Sequence, residues 1–197
     1  MSEAVREAYP GYRAGVVAAS GLVNGPPVPL TLDPAPLDHP HLLAWREAFR
    51  SFGAKRYQCS AEALIRRADE LPAINRLVDL YNAVSVAHAV PVGGEDVDHV
   101  VGTVRLRFAG SSEVFDGGDP PKPGEVVWAD SVGVTCRRWN WRQGVRTRLV
   151  EDTRRAYFLF DALPELDDDA LAAAMDDLCL RLREACPDAS LSSFVVR

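Results

Sequence analysis

The sequence predicts an α+β fold, and three observations predict it. Residues 40–89 carry apolar side chains at helical spacing, while stretches after residue 99 alternate with period two. Helices therefore cluster early and strands late, without the β-α-β alternation of a doubly wound parallel sheet. The chain has 197 residues, 47 % of them hydrophobic and 25 % charged, which suits a packed core in one domain spanning 1–197.

The elements follow in order. Residues 13–19, RAGVVAA, read as a first strand, and the prolines of NGPPVPLTLDPAP then exclude regular structure. Asp38-His39-Pro40 marks a helix start, and Leu42, Trp45, Phe49 and Phe52 give an amphipathic helix over 40–52. Ser60 caps a second helix to about Asp69. A third opens at Pro72 and runs to about Ala89, with Ile74, Leu77, Val78, Tyr81 and Val84 as its stripe. The period then changes. Val100, Gly102, Val104, Leu106 and Phe108 alternate with the residues between them, as in a half-buried strand. Residues 109–124 form a long connection of a length that often carries function. EVVWAD (125–130) and VGVTC (132–136) read as a strand pair around Asp130-Ser131. AYFLF (156–160) is apolar on both faces, as a central strand is. Leu171, Met175, Leu178 and Leu182 mark a helix ending near Pro187, and residues 191–196 form a last short strand.

Several function classes lose their support. No apolar run approaches the roughly 20 residues of a membrane span, and MSEAVREAYPGYR lacks the apolar region of a secretory signal. The cysteines at 59, 136, 179 and 186 form no C-x-x-C pair, so reduced thiols in the cytoplasm are expected. The histidines at 39, 41, 88 and 99 do not make a metal-ligand set, so neither metal nor cofactor is expected. No nucleophile elbow, Walker loop or dinucleotide fingerprint is present.

What remains is local. CRRWNWRQGVRTR (136–148) holds five arginines and two tryptophans, leaving −11 for the rest of a chain whose net charge is −6. Arginine presents a planar fork suited to phosphate or carboxylate, and an aromatic ring stacks on a base or closes an apolar pocket. A solvated strand explains the stretch nearly as well. The alternation that starts with Val132 and Val134 changes face near Arg137-Arg138, so a bulge or turn is expected there. Gly93-Gly94-Glu95-Asp96, just after a helix and Pro91, allows backbone to approach a ligand closely or simply forms a turn.

LVDLYNAVSVAHAVPVGGEDVD (77–98) and CRRWNWRQ (136–143) together resemble the stand-alone relatives of the B3/B4 domain of the bacterial phenylalanyl-tRNA synthetase β subunit. The resemblance is strongest over 76–161. It implies a B3/B4-like mixed sheet flanked by helices. It also implies a trans-editing deacylase that hydrolyses the ester between tRNA and a wrong amino acid, without metal. The implied partner is the acceptor end of tRNA with its amino acid, not DNA or a membrane. The synthetase's Thr-Asn pair falls on Tyr81-Asn82, so only the asparagine matches. Its Pro-x-His-Ala-Phe-Asp turn falls on Pro91–Asp96, which puts Gly93 where the editing histidine stands. Its selective glutamate falls in or near Trp141–Gln143, where there is no acid.

The resemblance thus implies a pocket of Tyr81, Asn82, Gly93, Gly94, Glu95 and the stretch Arg137, Arg138, Trp139, Asn140, Trp141, Arg142, Gln143. The arginines would hold phosphate or adenosine. Asn82, Glu95 and Asp130 are the candidates for a direct chemical role. An arginine analogue such as canavanine, or a phenylalanine-type mismatch, is the candidate amino acid. A non-catalytic module binding aminoacyl-tRNA, amino acid or nucleoside is the alternative.

Overall fold

The computed structural model describes residues 1–27 and 32–197. The middle of the proline-rich stretch, 28–31, lies outside the described residues.

The strands form two four-stranded sheets rather than one, and every pairing is antiparallel. The first sheet contains β1 (Arg13–Ser20), β2 (Val92–Asp96), β7 (Arg155–Ala162) and β8 (Ser190–Val196), in the order β2-β7-β1-β8. The second runs β3 (Arg105–Phe108), β4 (Val126–Ala129), β5 (Val134–Arg137), β6 (Arg142–Gln143). The helices are α1 (Glu3–Ala8), α2 (Pro40–Ser51), α3 (Ser60–Ile65), α4 (Arg76–His88) and α5 (Asp168–Ala185).

One face of the first sheet carries the main core. Phe158 and Phe160 of β7 and Val17 of β1 pack with Leu77 and Val84 of α4 and Leu171 and Leu178 of α5. A Cβ on Gly15 would come within 2.6 Å of Met175 Sδ, so glycine here lets α5 cross β1 closely. Residues alternate across a strand, so Tyr157, Leu159 and Asp161 face the opposite way, toward the second sheet. A second core joins Trp45 and Phe49 of α2 with Leu106, Val126 and Trp139. His41 is buried there. Its Nδ1 donates to the Ala89 carbonyl (2.9 Å), and its Nε2 accepts from Trp45 Nε1 (3.1 Å) and Leu163 N (3.0 Å). Burial lowers its pKa to about 4, as a neutral ring with both nitrogens engaged requires.

Several boundaries differ from the sequence reading. The third helix starts at Arg76, not Pro72, because the Asn75 side chain accepts from Val78 N (3.0 Å) and fixes the cap there. Ile74 is left exposed outside the helix. The second helix ends at Ile65, and Ala68–Glu70 is a separate 3₁₀ turn. The strand expected over 100–108 begins at Arg105, because Gly102 takes a positive φ of 72° and Val101 pairs with the turn at Asp130-Ser131 instead.

Candidate active site

Between the two sheets lies a cleft of about 250 Å³. The register of the first sheet builds its floor. Gly93 lies opposite Leu159, and Glu95 opposite Tyr157, so these four and Asp161 point to the same side. Tyr81 and Asn82 of α4, Leu64 of α3 and Arg67 just beyond it, and Trp128 and Cys136 of β4 and β5 close the walls.

The turn joining β5 to β6 supplies the rest. The expected change of face is a tight turn in which Arg138 and Trp139 both take the left-handed region, with φ of 45° and 64°. That conformation costs about 1–2 kcal/mol per non-glycine residue, so the surroundings must enforce it. They do so through two anchors. Trp139 is fully buried, edge to face with Tyr9, Tyr12 and Trp45 at centroid distances of 4.7, 4.9 and 5.0 Å. The Arg138 guanidinium lies 3.7 Å from the centre of the Tyr57 ring and 4.4 Å from that of Trp141. Asn140, Trp141 and Gln143 are thereby delivered to the cleft.

Two carboxyl groups dominate its chemistry. Glu95 is 6 % exposed, and its Oε2 has no hydrogen-bond partner. Burial pushes its pKa up to about 7, against the opposing influence of Thr147, Gln143 and Thr135. The two threonine hydroxyls lie near but close no hydrogen bond of ordinary geometry. Asp161, 3 % exposed, is raised to about 6, again by burial. Tyr12 donates to its Oδ1, and Asn140 Nδ2 to its Oδ2 at 3.2 Å. The indole N–H groups of Trp128 and Trp139 are close enough to favour its charge, yet neither is hydrogen-bonded. Cys136 is a half-buried thiol on the cleft wall, its pKa driven far up by desolvation and by the charges of Glu95 and Asp161.

The arginines of 136–148 are mostly committed elsewhere. Arg137 does not line the cleft. It is buried in a two-pronged pair with Glu125, Nε–Oε1 2.8 Å and Nη2–Oε2 2.9 Å, and donates to the Asp119 carbonyl at 2.6 Å. Arg146 forks onto Asp130 through its two terminal nitrogens, Nη1–Oδ2 2.9 Å and Nη2–Oδ1 2.8 Å. Arg138 is stacked as described and lies 3.6 Å from Glu125. Arg142 and Arg148 are the exposed members, and Arg142 sits beside Trp141.

Asp130 is likewise a loop residue, outside the cleft. It accepts from Val101 N (2.8 Å), Val132 N (2.9 Å) and Gly133 N (3.1 Å). Burial alone would raise its pKa, but Arg146 and these three N–H groups outweigh it and hold it near 2. An acid so fully engaged has no lone pair to offer a reaction. Gly94 faces the core: a Cβ there would meet Leu149, Tyr81 and Phe158 at 2.7, 3.1 and 3.2 Å. Its carbonyl accepts from Gln143 Nε2 (2.6 Å), which ties β2 to β6. Gly93 has open space where a side chain would go.

Of the residues singled out from sequence, Tyr81, Asn82, Gly93, Glu95, Trp139, Asn140, Trp141 and Gln143 meet at the cleft. Gly94, Asp130, Arg137, Arg138 and Arg142 are not among its lining residues. Asp161, Tyr157 and Trp128 were missed. Asp161 had a legible signal, an acid directly continuing the apolar strand AYFLF in step with Tyr157 and Leu159.

No described helix is long and apolar enough to cross a membrane. Among curated proteins, none matches the chain. A family model described as the B3/4 domain matches residues 44–186, which include every residue of the cleft. Such domains occur in proteins related to phenylalanyl-tRNA synthetase. With most of its length matched and its cleft inside the matched segment, this chain belongs to the B3/4 domain family.

Proposed function

We propose that this protein is a trans-editing aminoacyl-tRNA deacylase, and that its cleft receives the amino acid at the acceptor end of a mischarged tRNA. The observation that carries this reading is the pair of buried carboxyls, Glu95 and Asp161, facing one cleft while Arg137 and Arg146 are spent on Glu125 and Asp130. An acidic, desolvated cleft suits a substrate that brings positive charge, and every aminoacyl ester brings an α-ammonium. A basic side chain, such as that of canavanine, suits two acids better than a phenylalanine-type side chain does.

Roles follow from the environments. Asp161, held by Tyr12 and Asn140, takes the α-ammonium. Glu95, with a free oxygen and a pKa of about 7, accepts a proton from water as that water attacks the ester carbonyl carbon. The Asn82 amide polarises the carbonyl oxygen. The tetrahedral intermediate then expels the ribose oxygen, which takes the proton back from Glu95, leaving free amino acid and tRNA. Gly93, in place of the synthetase histidine, leaves Glu95 as the base nearest the substrate. Arg67 and Arg142 meet the phosphates at the rim.

The missing histidine is also the observation that favours a second reading, a binding module without turnover. Equilibrium binding measured beside deacylation of a panel of tRNAs, charged with near-cognate and non-protein amino acids, separates the two. Acceleration with at least one member is expected. Tight binding with no acceleration by any member selects the second reading.

A further inference from the structure

Sheet edges are sites of unintended association, and among the described residues every edge but one is covered or very short. At the outer edge of β2, Gln143 donates to the Gly94 carbonyl (2.6 Å) and Asp96 N to the Thr147 carbonyl (2.8 Å). At β3, Ser2 N, just before α1, donates to the Leu106 carbonyl (2.8 Å). β6 is only two residues long. β8 differs: it is seven residues long, pairs with β1 on one side, and has no partner on the other among the described residues.

Its composition is as unusual as its exposure. Ala189–Val196 contains no charge and no proline, and Phe194, Val195 and Val196 are 52, 39 and 36 % exposed. Consecutive side chains point to opposite faces, so this uncharged strand exposes apolar side chains on both, Phe194 and Val196 on one and Val195 on the other. Phe194 and Val196 also border an apolar hollow of about 410 Å³ above Val16 and Ala18, on the face that α4 and α5 leave open. None of the usual protections of an edge, such as a lysine, a proline or a bulge, is present.

We infer that two copies of this chain associate by antiparallel pairing of β8 with β8 about a two-fold axis at Ser193. The charges at the strand ends select a second copy as the occupant. Asp188 precedes the uncharged run and Arg197 follows it, and this register sets Arg197 of each copy against the Asp188–Ala189 end of the other. Arg197 now pairs with Asp168 at an exposed position, an interaction weak enough to exchange. The same symmetry brings both Phe194 side chains to one open face beside the axis. The first sheets of the two copies then form one continuous sheet of eight strands, with each cleft at a far end beside β2.

Sedimentation equilibrium of the full chain tests this. A concentration-dependent dimer is expected, weakened about tenfold or more in Phe194→Lys. Arg197→Asp should weaken it, and Asp188→Arg combined with Arg197→Asp should restore it, because the antiparallel register exchanges the two ends. Hydrogen exchange on the unaltered protein gives a reading that no folding defect can obscure: β8 amides lose protection on dilution. A monomer at every concentration overturns the proposal. So does a dimer indifferent to β8 substitutions, or association seen only with another polypeptide.

Discussion

Glu95 and Asp161 are carboxyl groups whose folded pKa values are raised, and the sign of their effect on stability follows. Each binds its proton more tightly in the folded chain, so its contribution is fully present below the unfolded value and is lost as pH rises through the folded one. For Glu95 the window runs from 4.5 to about 7, and for Asp161 from 3.8 to about 6. The shift of Glu95 corresponds to about 3 kcal/mol. Glu95→Gln, which keeps the shape without the charge, should therefore raise stability at pH 8 by up to that amount and change it little at pH 4.5. Urea melts at the two pH values check this. The same substitution should slow deacylation by about 100-fold or more. The neighbouring glycines separate space from function. Gly94→Ala should cost about 1–3 kcal/mol, because Leu149, Tyr81 and Phe158 surround the missing side chain. Gly93→Ala should leave the denaturation midpoint nearly unchanged while obstructing the cleft.

The turn between β5 and β6 shows what a sequence can and cannot reveal about an element. Broken alternation at Arg137-Arg138 announced the change of face, because a strand cannot swap its apolar side without a turn or bulge. The fates of the arginines were hidden. Glu125 and Asp130 stand only 12 and 16 residues from the arginines they bind, yet pairing depends on the register of β4 with β5 and on the loop around Asp130. The cluster that looked like a phosphate grip is largely scaffold. Arg137→Ala, leaving buried Glu125 with only Arg138 3.6 Å away, should destabilise the fold by about 3 kcal/mol in chemical denaturation. Arg142→Ala should change stability by no more than about 0.5 kcal/mol and still weaken tRNA binding. The reverse pattern would mean that the scaffold and rim roles are interchanged.

At the scale of the whole molecule, the α+β class was legible because period-3.6 and period-2 stretches are segregated along the chain. The division of strands between two sheets was not, since strand partners as far apart as Arg13 with Ala162 or Ala14 with Val196 leave no local trace. Asp161 continues AYFLF in step with Tyr157 and Leu159, a local signal, but only the fold brings it to Glu95. The charge distribution has its own consequence. With Arg137 and Arg146 neutralised internally in a chain of net charge −6, the cations set to meet RNA at the cleft are Arg67 and, beside Trp141, Arg142. Two or three phosphate contacts imply a slope of log affinity against log salt of about −2, well short of that of a broad basic surface. A titration of tRNA binding between low and moderate salt measures it. The most direct test of the account is single-turnover deacylation of a mischarged tRNA, including one charged with an arginine analogue, by the unaltered protein and by Glu95→Gln. Glu95 acting as the base predicts acceleration over buffer that rises with pH through about 7 and is lost in the variant. No acceleration by the unaltered protein, or equal acceleration by both, would contradict it.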